Sequence, residues 1–350
     1  MGQGPGGSAG PPGGEQPTVT GRRPFQRRRT WAALLGVLAL LAAVWINLPV
    51  MSTFSRSDRR VSELPPAPAF RPGQRVLLLS PHPDDETLCC GGMIQQGVAA
   101  GAGVYVAWLT AGDGFEFDAA LTGRTLHPGA QNLRELGNTR AREARRAVAL
   151  LGVPAAHTFM LGYPDGALFR LFSVNYVQPF TSPRTRSSAV YVTGALTPKA
   201  PFSGQALEAD LRRVLDRVQP DLVLVPAPQD FHPDHHTLTY LALRLMADRG
   251  QEDRLRFWVV HGGLEWPVPK GLHPELPLTV PPRARALPWQ RVDLTAQQQA
   301  RKVQAIDTYR SQTRIMGRFL RAFDRRNELL SPAALPPLSA PASPSPALAH

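Results

Sequence analysis

Cysteine is almost absent from this chain of 350 residues: there are two, Cys89 and Cys90, and they are adjacent. Adjacent cysteines rarely pair because the bond between them is strained, so we expect no disulfide. Zinc sites built on thiolates usually place their cysteines two or more residues apart, which argues against a thiolate site here. We therefore interpret both residues as small apolar side chains at the start of a helix.

Apolar periodicity is also absent from both ends of the chain, and no internal repeat is visible. Residues 1–20 are rich in Gly and Pro, and residues 331–350 are rich in Pro, Ala and Ser. Such compositions do not bury enough apolar surface to fold, so we predict a disordered basic N-terminus at 1–29 and a disordered tail at 331–350. The apolar fraction of 43% is enough for a core between them.

Acidic residues are scarce near the N-terminus. The first 60 residues contain eight arginines against Glu15 and Asp58, a balance of +6 that is half of the net charge of +12. The basic cluster adjoins an apolar run and has no aromatic residues interleaved with it, so we predict no nucleic-acid binding. The pattern is typical of a segment that sets the orientation of a chain in a membrane.

Charged residues are missing from Trp31–Ile46, which follows the arginines. As a helix this run would be about 24 Å long, and its extension to Met51, despite Pro49, approaches the ~30 Å hydrocarbon core of a bilayer. We predict a transmembrane signal anchor at 30–51 and a Pro-rich linker at 52–73. Arginine-rich flanks stay in the cytoplasm, so the chain after residue 51 should be extracytoplasmic.

Two alternatives to the membrane anchor stay open. The letters "RRPF" at Arg22–Phe25 resemble a twin-arginine signal, which would mean export followed by cleavage. However, no clear cleavage site of small residues follows the apolar run. The run could also be a core helix or part of a mis-assigned start, but five arginines directly before a core helix would be unusual.

Strand and helix patterns alternate through the middle of the chain. Short apolar runs predict buried parallel strands, and amphipathic runs predict the helices between them. The predicted strands are 75–80, 104–110, 156–162, 221–226 and 254–262, and the predicted helices are 87–101, 132–152, 204–220 and 234–250. This alternation predicts an α/β fold, a Rossmann-like, mainly parallel sheet flanked by helices in a single catalytic domain. Residues 169–201 break the pattern, and we expect a hairpin there ("SVNYV" with "AVYVTG").

Two clusters of polar residues each follow a predicted strand. "SPHPDDE" brings His82, Asp84 and Asp85 after the first strand, and "DFHPDHH" begins at Asp230 after the fourth. Ligands of open α/β sheets bind outside the carboxyl ends of the strands, so both clusters should share one edge. Imidazole and carboxylate together suit Zn²⁺, whose charge would offset that of the adjacent acids. One carboxylate would bind the metal, and its neighbour could take a proton from water. In the simpler alternative, Asp234 only caps a helix.

With these residues the chain resembles the LmbE-like, or PIG-L, family of zinc-dependent N-deacetylases, which act mostly on N-acetylglucosamine conjugates. "PHPDDE" (81–86) and "HPDH" (232–235) match the two motifs of that family. Further segments that resemble it are "TAGDG" (110–114), "RAREA" (140–144), "GYPDG" (162–166), "KVQAIDTYRSQ" (302–312) and "RRNELL" (325–330). The resemblance implies an LmbE-like deacetylase domain over residues 74–330.

The resemblance also implies a metal centre with one zinc ion. Carried over by position, His82, Asp85 and His235 would be the zinc ligands, and Asp84 would be the general base. Zinc would lower the pKa of bound water towards ~7 and polarise the amide carbonyl. Acetate and a free amino sugar would then be released.

The remaining roles follow from the same resemblance. His232 would stabilise the oxyanion or protonate the leaving amine, and Asp234 would orient it. Arg140 and Asp165 would contact the sugar. Some members carry a tyrosine two residues before the first histidine of the second motif, where this chain has Asp230, which affects the oxyanion contact but not the zinc site.

Other candidate residues and functions stay open. Glu86 would support the metal ligands or cap the helix, Asp113 could line the pocket, and His261 is either a core histidine or part of the site. Without the resemblance, Arg140 and Glu143 would be read as a solvated pair on a helix. A metal-dependent phosphoester hydrolase is less favoured because such sites prefer two metals. A membrane-anchored glycan-binding module without turnover is a further alternative. The group attached to the amino sugar and the oligomeric state cannot be deduced from the sequence.

Overall fold

The computed structural model of the chain describes residues 34, 36–38, 59–114, 129–263 and 266–336. The chain divides into two compact units, Met1–Arg56 and Ser57–His350. In the first unit the described residues Leu34, Gly36, Val37 and Leu38 are helical. All strands described below belong to the second unit.

Most of the segments predicted for the two ends of the chain lie outside the described residues. These are the disordered N-terminus at 1–29, most of the anchor at 30–51, the start of the linker at 52–58, and most of the tail at 331–350. Among the helices that the structure does describe, none combines the length and the apolar character needed to cross a bilayer. The anchor therefore stays a prediction.

Five parallel strands form the central sheet of the second unit. They are β1 (Arg75–Ser80), β2 (Gly103–Thr110), β3 (Thr158–Tyr163), β4 (Leu222–Pro226) and β5 (Leu255–Trp258). Their order across the sheet is β3-β2-β1-β4-β5. Strand β1 lies in the middle of the sheet. Strands β2 and β3 extend the sheet on one side of β1, and β4 and β5 extend it on the other. The predicted α/β fold with a parallel sheet is confirmed.

Seven α-helices flank and connect these strands within the described part of the second unit. They are α1 (Asp85–Ala99), α2 (Ala130–Leu150), α3 (Leu168–Ser173), α4 (Gly204–Val218), α5 (Pro233–Ala247), α6 (Ala296–Ile306) and α7 (Arg310–Leu320). The buried strands carry continuous apolar runs because helices cover them; Leu77 and Leu78 of β1, for example, are fully buried.

Local sequence determines where the two helices beside the later strands begin. The hydroxyl of Ser203 accepts a hydrogen bond from the Ala206 N–H and so caps α4, which ends at Gln219 in the left-handed region. His232 caps α5 in the same way, and Pro233 occupies the first position of that helix, where no N–H is needed. The residue that caps α5 is therefore His232, and not Asp234 as the capping alternative expected.

A small second sheet was not predicted from the sequence. Strands β6 (Gln290–Asp293) and β7 (Asn327–Leu330) pair in antiparallel fashion. The hairpin expected at 169–201 does not form: within that stretch, all of which the structure describes, there is helix α3 followed by irregular chain with two isolated bridges. Backbone N–H groups there bond to nearby carbonyls instead, such as Arg186 to Ser182.

The two cysteines also differ from expectation. Cys89 and Cys90 lie in the first half of α1, as the sequence predicted, and both side chains are buried. Their sulfur atoms are bonded to each other. The expectation that these residues form no disulfide, which rested on the rarity and strain of bonds between neighbours, is wrong.

A buried ion pair attaches the C-terminal part of the chain to helix α1. Lys302 of α6 and Glu328 of β7 are fully buried and lie 2.7 Å apart, Nζ to Oε1. The Lys302 ammonium also donates to the Leu88 carbonyl, and the Glu328 carboxylate accepts from the N–H groups of Gly92 and Met93. Each charge therefore has several partners, which is what makes burial of both tolerable.

This pair gives a prediction about stability. We expect Lys302→Met to lower the free energy of unfolding by about 3–5 kcal/mol, because the Glu328 carboxylate is left buried without its counter-ion. The matched control is Arg321→Met, which removes an exposed pair with Asp307 and should cost about 1 kcal/mol or less. Denaturant unfolding of both variants measures the difference. Equal losses would mean that the buried pair does not stabilise the fold.

Candidate functional site

The two polar clusters lie at one edge of the sheet, on either side of the point where the strand order reverses. Strands β1 and β4 are neighbours, with Val76 opposite Leu222 and Leu78 opposite Leu224. The loops that follow them bring Nε2 of His82 within 3.2 Å of Oδ2 of Asp234. The expectation that the clusters share an edge is confirmed, and their place is where ligands bind in open α/β sheets.

The three residues predicted to bind zinc lie around one carboxylate oxygen. Oδ2 of Asp85 is 3.2 Å from Nδ1 of His82 and 3.1 Å from Nε2 of His235. All three side chains are buried. Burial alone would raise the pKa of Asp85, but the two imidazoles outweigh it and hold that pKa well below its usual range. The two rings therefore favour the anionic form of Asp85.

His235 is the best test of whether a metal would fit. Its ring is fully buried, yet neither ring nitrogen makes a well-aligned hydrogen bond. Oδ2 of Asp230 lies 3.2 Å from Nδ1, opposite the Asp85 contact. Burial would lower the pKa of His235, but the two carboxylates raise it to about 9. A buried imidazole without aligned bonds, set between carboxylates, is the environment of a metal ligand whose second nitrogen is oriented by an acid.

More than one set of ligands is available in this region. Three overlapping groups place their donor atoms within 4.8 Å of one another: His82 with His232 and His235, Asp85 with His235 and His261, and His82 with Asp165 and Asp234. The predicted ligands are drawn from the first two groups. Two imidazoles and one carboxylate form a donor set that suits Zn²⁺ and leaves a fourth position open.

Asp84, the predicted general base, has an unusual backbone. Its φ of 126° lies in the region that only glycine adopts without cost, and such strain is worth on the order of 1–3 kcal/mol. Burial, followed by the adjacent Asp85 charge, raises the pKa of Asp84 well above its ordinary value. The nearest guanidinium nitrogen, NH2 of Arg140, is 3.8 Å from Oδ2 and only partly opposes this rise.

The protonation of His232 can be deduced from its neighbours. Burial and the nearby His82, His235 and His261 lower its pKa to about 3, so that the ring is neutral near pH 7. Its Nδ1 accepts a hydrogen bond from the N–H of Asp234 at 3.2 Å. The single ring proton therefore sits on Nε2, which makes that nitrogen a hydrogen-bond donor.

Asp234 contacts His232 through its backbone and not through its carboxylate. The carboxylate accepts from the N–H groups of Gly166, at 2.7 Å, and Leu168, at 3.1 Å, and lies beside His82. Asp234 thus joins the loop after β3 to the second cluster. The sequence predicts that Asp234 orients His232, and the contact between the two residues is made by the main-chain N–H of Asp234.

The two predicted sugar contacts, Arg140 and Asp165, form hydrogen bonds and ion pairs with other groups of the protein. Arg140 donates from NH1 to the carbonyl of Gly112 at 2.5 Å and from NH2 to that of Pro83 at 3.0 Å. Asp165 lies 3.2 Å from Nε2 of His82 and accepts from the N–H of Gly114. A side chain at position 112 would collide with the Arg140 guanidinium at 2.3 Å, so glycine is needed there.

A cavity of about 270 Å³ opens onto this cluster. Six of the eight predicted site residues line it, and the other two, Asp234 and His235, are fully buried. The six are His82, Asp84, Asp85, Arg140, Asp165 and His232. The cavity also includes His261, Gln312 and Phe319, so His261 does belong to the site region.

Several contributors were missed or undervalued by sequence analysis. Glu86 is fully buried and accepts from Nε1 of Trp108 at 2.8 Å, from the N–H of Asp84 at 3.1 Å and from the Tyr309 hydroxyl. Gln312 contacts Asp84 directly. The segment "KVQAIDTYRSQ", which contains Tyr309 and Gln312, was the available signal, but its residues had no assigned role.

Helix α2 brings a second buried acid to the C-terminal part of the chain. Glu143 accepts hydrogen bonds from the N–H of Ser311, at 3.1 Å, and from its hydroxyl, at 2.5 Å. Both Arg140 and Glu143 are buried. They are therefore not the solvated pair that their spacing alone would indicate.

In comparisons with known proteins, residues 77–246 match the model of the family described as PIG-L, GlcNAc-PI de-N-acetylase. The 1D-myo-inositol 2-acetamido-2-deoxy-alpha-D-glucopyranoside deacetylase of Kribbella flavida is 30% identical over 210 residues, which cover 57% of this chain and 61% of that protein. The deacetylase of the same name from a Mycobacterium species (strain KMS) is 34% identical over 133 residues, covering 38% of this chain and 36% of its own.

A solved structure also matches. The A40926 pseudoaglycone deacetylase covers 74% of this chain and 96% of its own, with 20% identity and a TM-score of 0.48. At that identity and score the likeness says nothing about the substrate of this chain. The chain spans between 36% and 61% of the length of the two curated relatives above. The match to the PIG-L family model covers residues 77–246 and includes both polar clusters.

Proposed function

We propose that the chain is a zinc-dependent N-deacetylase that hydrolyses the acetamido group of an N-acetylglucosamine-type conjugate. The observation that carries this proposal is the buried His235 ring, which lies between the carboxylates of Asp85 and Asp230 without an aligned hydrogen bond. The names of the family and of the curated relatives support the substrate class. The domain would extend over 74–330, and the strand order supports a Rossmann-like sheet within it.

The residues that would hold one zinc ion are His82, Asp85 and His235. Zinc, when bound, supplies a Lewis acid for the amide carbonyl and an acidified water. Asp230 keeps the His235 ring in place from the far side. The neutral rings required of the ligands are at odds with the raised pKa values of His82 and His235 in the metal-free protein, where neighbouring carboxylates outweigh the effect of burial. A cation would displace those protons.

The protein's own groups would handle the protons of hydrolysis. Asp84 takes a proton from the attacking water as the carbon–oxygen bond forms, and gives it to the nitrogen as the carbon–nitrogen bond breaks. His232 carries its proton on Nε2 and donates a hydrogen bond to the acyl oxygen as negative charge develops there. The products are acetate and a free amine, and the residues return to their starting states.

The test of this function is product analysis on purified protein loaded with zinc. N-acetylglucosaminides linked to a thiol precursor, a lipid and a polymer are offered, and free amine, acetate and phosphate are measured. Release of acetate with an equal amount of amine supports the proposal. Release of phosphate alone points to a phosphoester hydrolase, and binding without any product points to a glycan-binding module.

The metal assignment predicts the behaviour of Asp85→Ala. Loss of a charged ligand should weaken zinc binding about 10-fold or more and abolish turnover. Zinc content after dialysis against a competing chelator measures the effect. The matched control is Asp221→Ala, at the opposite end of β4, where the carboxylate bonds to the Arg75 N–H. Full zinc content and normal turnover in Asp85→Ala would exclude this residue as a ligand.

The general-base assignment predicts a different result for Asp84→Asn. This variant should retain zinc but lose at least ~100-fold in kcat, because an amide cannot accept the proton from water. Steady-state kinetics and zinc content are measured on the same preparation. If the zinc content falls as far as in Asp85→Ala, Asp84 is itself a zinc ligand and its assignment as the general base is wrong.

We also propose that residues 30–51 anchor the catalytic domain on the outer face of the membrane. The support is the charge asymmetry of the sequence: five arginines lie within ten residues before the apolar run, and Asp58 partly offsets the three arginines that follow it. Protease added to intact cells, or to spheroplasts, should digest the domain while a cytoplasmic marker survives. Protection until lysis would contradict the orientation, and recovery of a shortened soluble chain would indicate a cleaved signal.

A further inference from the structure

The Asp84 carboxylate has one hydrogen-bond donor among the residues that the structure describes. That donor is the side-chain amide of Gln312, whose Nε2 bonds to Oδ2. The guanidinium of Arg140 is 3.8 Å away, beyond hydrogen-bond distance, and its two terminal nitrogens donate to the carbonyls of Gly112 and Pro83. Gln312 is therefore the group that determines where the carboxylate points.

The same amide also fixes the peptide group before Asp84. Nε2 of Gln312 donates to the Pro83 carbonyl at 3.1 Å, and NH2 of Arg140 donates to that carbonyl at 3.0 Å. The orientation of this peptide sets the φ of Asp84, which is 126°. A strained backbone persists only where surrounding groups fix it. Gln312 and Arg140 fix the carbonyl side of this peptide. On the other side, the Asp84 N–H bonds to Glu86 at 3.1 Å.

The orientation of the Gln312 amide is unambiguous. Both of its close neighbours, the Asp84 carboxylate and the Pro83 carbonyl, are acceptors, so the NH2 end must face them. The side chain is 1% exposed, and its Oε1 has no hydrogen-bond partner among the described residues. A buried acceptor left without a partner costs free energy. The Gln312 amide thus commits its donor end to Pro83 and Asp84 and leaves its acceptor end without a described partner.

We propose that Gln312 is a positioning residue for Asp84, holding both its carboxylate and its strained peptide in the geometry needed to take a proton from water. The proposal rests on the proposed deacetylase function. Gln312 acts through Asp84, so its loss should lower kcat and leave substrate binding and zinc binding nearly unchanged.

The first test uses two variants that keep the size of the side chain. Gln312→Met removes the donor, and Gln312→Glu replaces it with an acceptor beside the Asp84 carboxylate. Both should lower kcat at least ~10-fold, with KM changed less than ~3-fold and zinc content unchanged. The matched control is Gln299→Met, another buried glutamine, which donates to the Pro274 carbonyl away from the pocket. Normal kcat in both Gln312 variants would overturn the proposal.

The second test asks whether Gln312 acts through Asp84. In an Asp84→Asn background the base is already absent, so adding Gln312→Met should lower the residual rate less than ~2-fold. A full additional ~10-fold loss would mean that Gln312 has a separate role, and would overturn the proposal. Zinc content and unfolding midpoints are measured for the wild type, Asp84→Asn, Gln312→Met and the double variant. They show whether any loss of rate reflects misfolding.

A third measurement needs no substrate, and so separates this proposal from the proposed function. Crystal structures of the wild-type protein and Gln312→Met are compared at Asp84. The carboxylate should rotate away, or the φ should leave the positive region, when the donor is removed. An unchanged Asp84 would overturn the positioning role even if the wild-type protein proves to be a deacetylase. If the wild-type protein shows no deacetylation, the proposed function is contradicted. The comparison of the two crystal structures then decides the role of Gln312 by itself.

Discussion

Three consecutive buried carboxylates at the end of a buried strand are the constraint on which the rest of the site depends. Asp84, Asp85 and Glu86 would repel one another, and each is given a different environment. Glu86 is enclosed by neutral donors, and burial raises its pKa. Asp85 lies between two imidazoles, and Asp84 receives the amide of Gln312. The site can therefore contain one fixed anion beside one group able to take a proton.

These environments come from parts of the chain that are far apart in sequence. Strand order brings the second cluster beside the first, because β4 returns to pair with β1 after the other side of the sheet is complete. The C-terminal segment supplies Tyr309 and Gln312, and the Lys302–Glu328 pair fixes that segment to the backbone of α1. The buried pair therefore contacts α1 at Leu88, Gly92 and Met93, just beyond the polar cluster at the start of that helix.

Periodicity predicted the elements of the sheet, usually to within two residues, because buried runs and amphipathic runs are local signals. The fifth strand was predicted to reach 262 but ends at Trp258, since the Asp230 carboxylate takes the N–H groups of Val260 and His261. The second sheet could not be predicted, because its four-residue strands lie more than thirty residues apart. The motifs located the polar clusters, but the contact between Gln312 and Asp84 joins residues 228 positions apart, which no local pattern reveals.

Asp230 stands where, by the resemblance seen in the sequence, some members of the PIG-L family have a tyrosine. Its carboxylate accepts from the N–H groups of His232, Val260 and His261, and it also lies beside the His235 ring. A tyrosine hydroxyl has two lone pairs and could not accept three such bonds. The residue at 230 thus holds the loop after β4 against the end of β5. In the proposed mechanism the donor for the acyl oxygen is instead Nε2 of His232, whose ring the neighbouring histidines and burial keep neutral near pH 7.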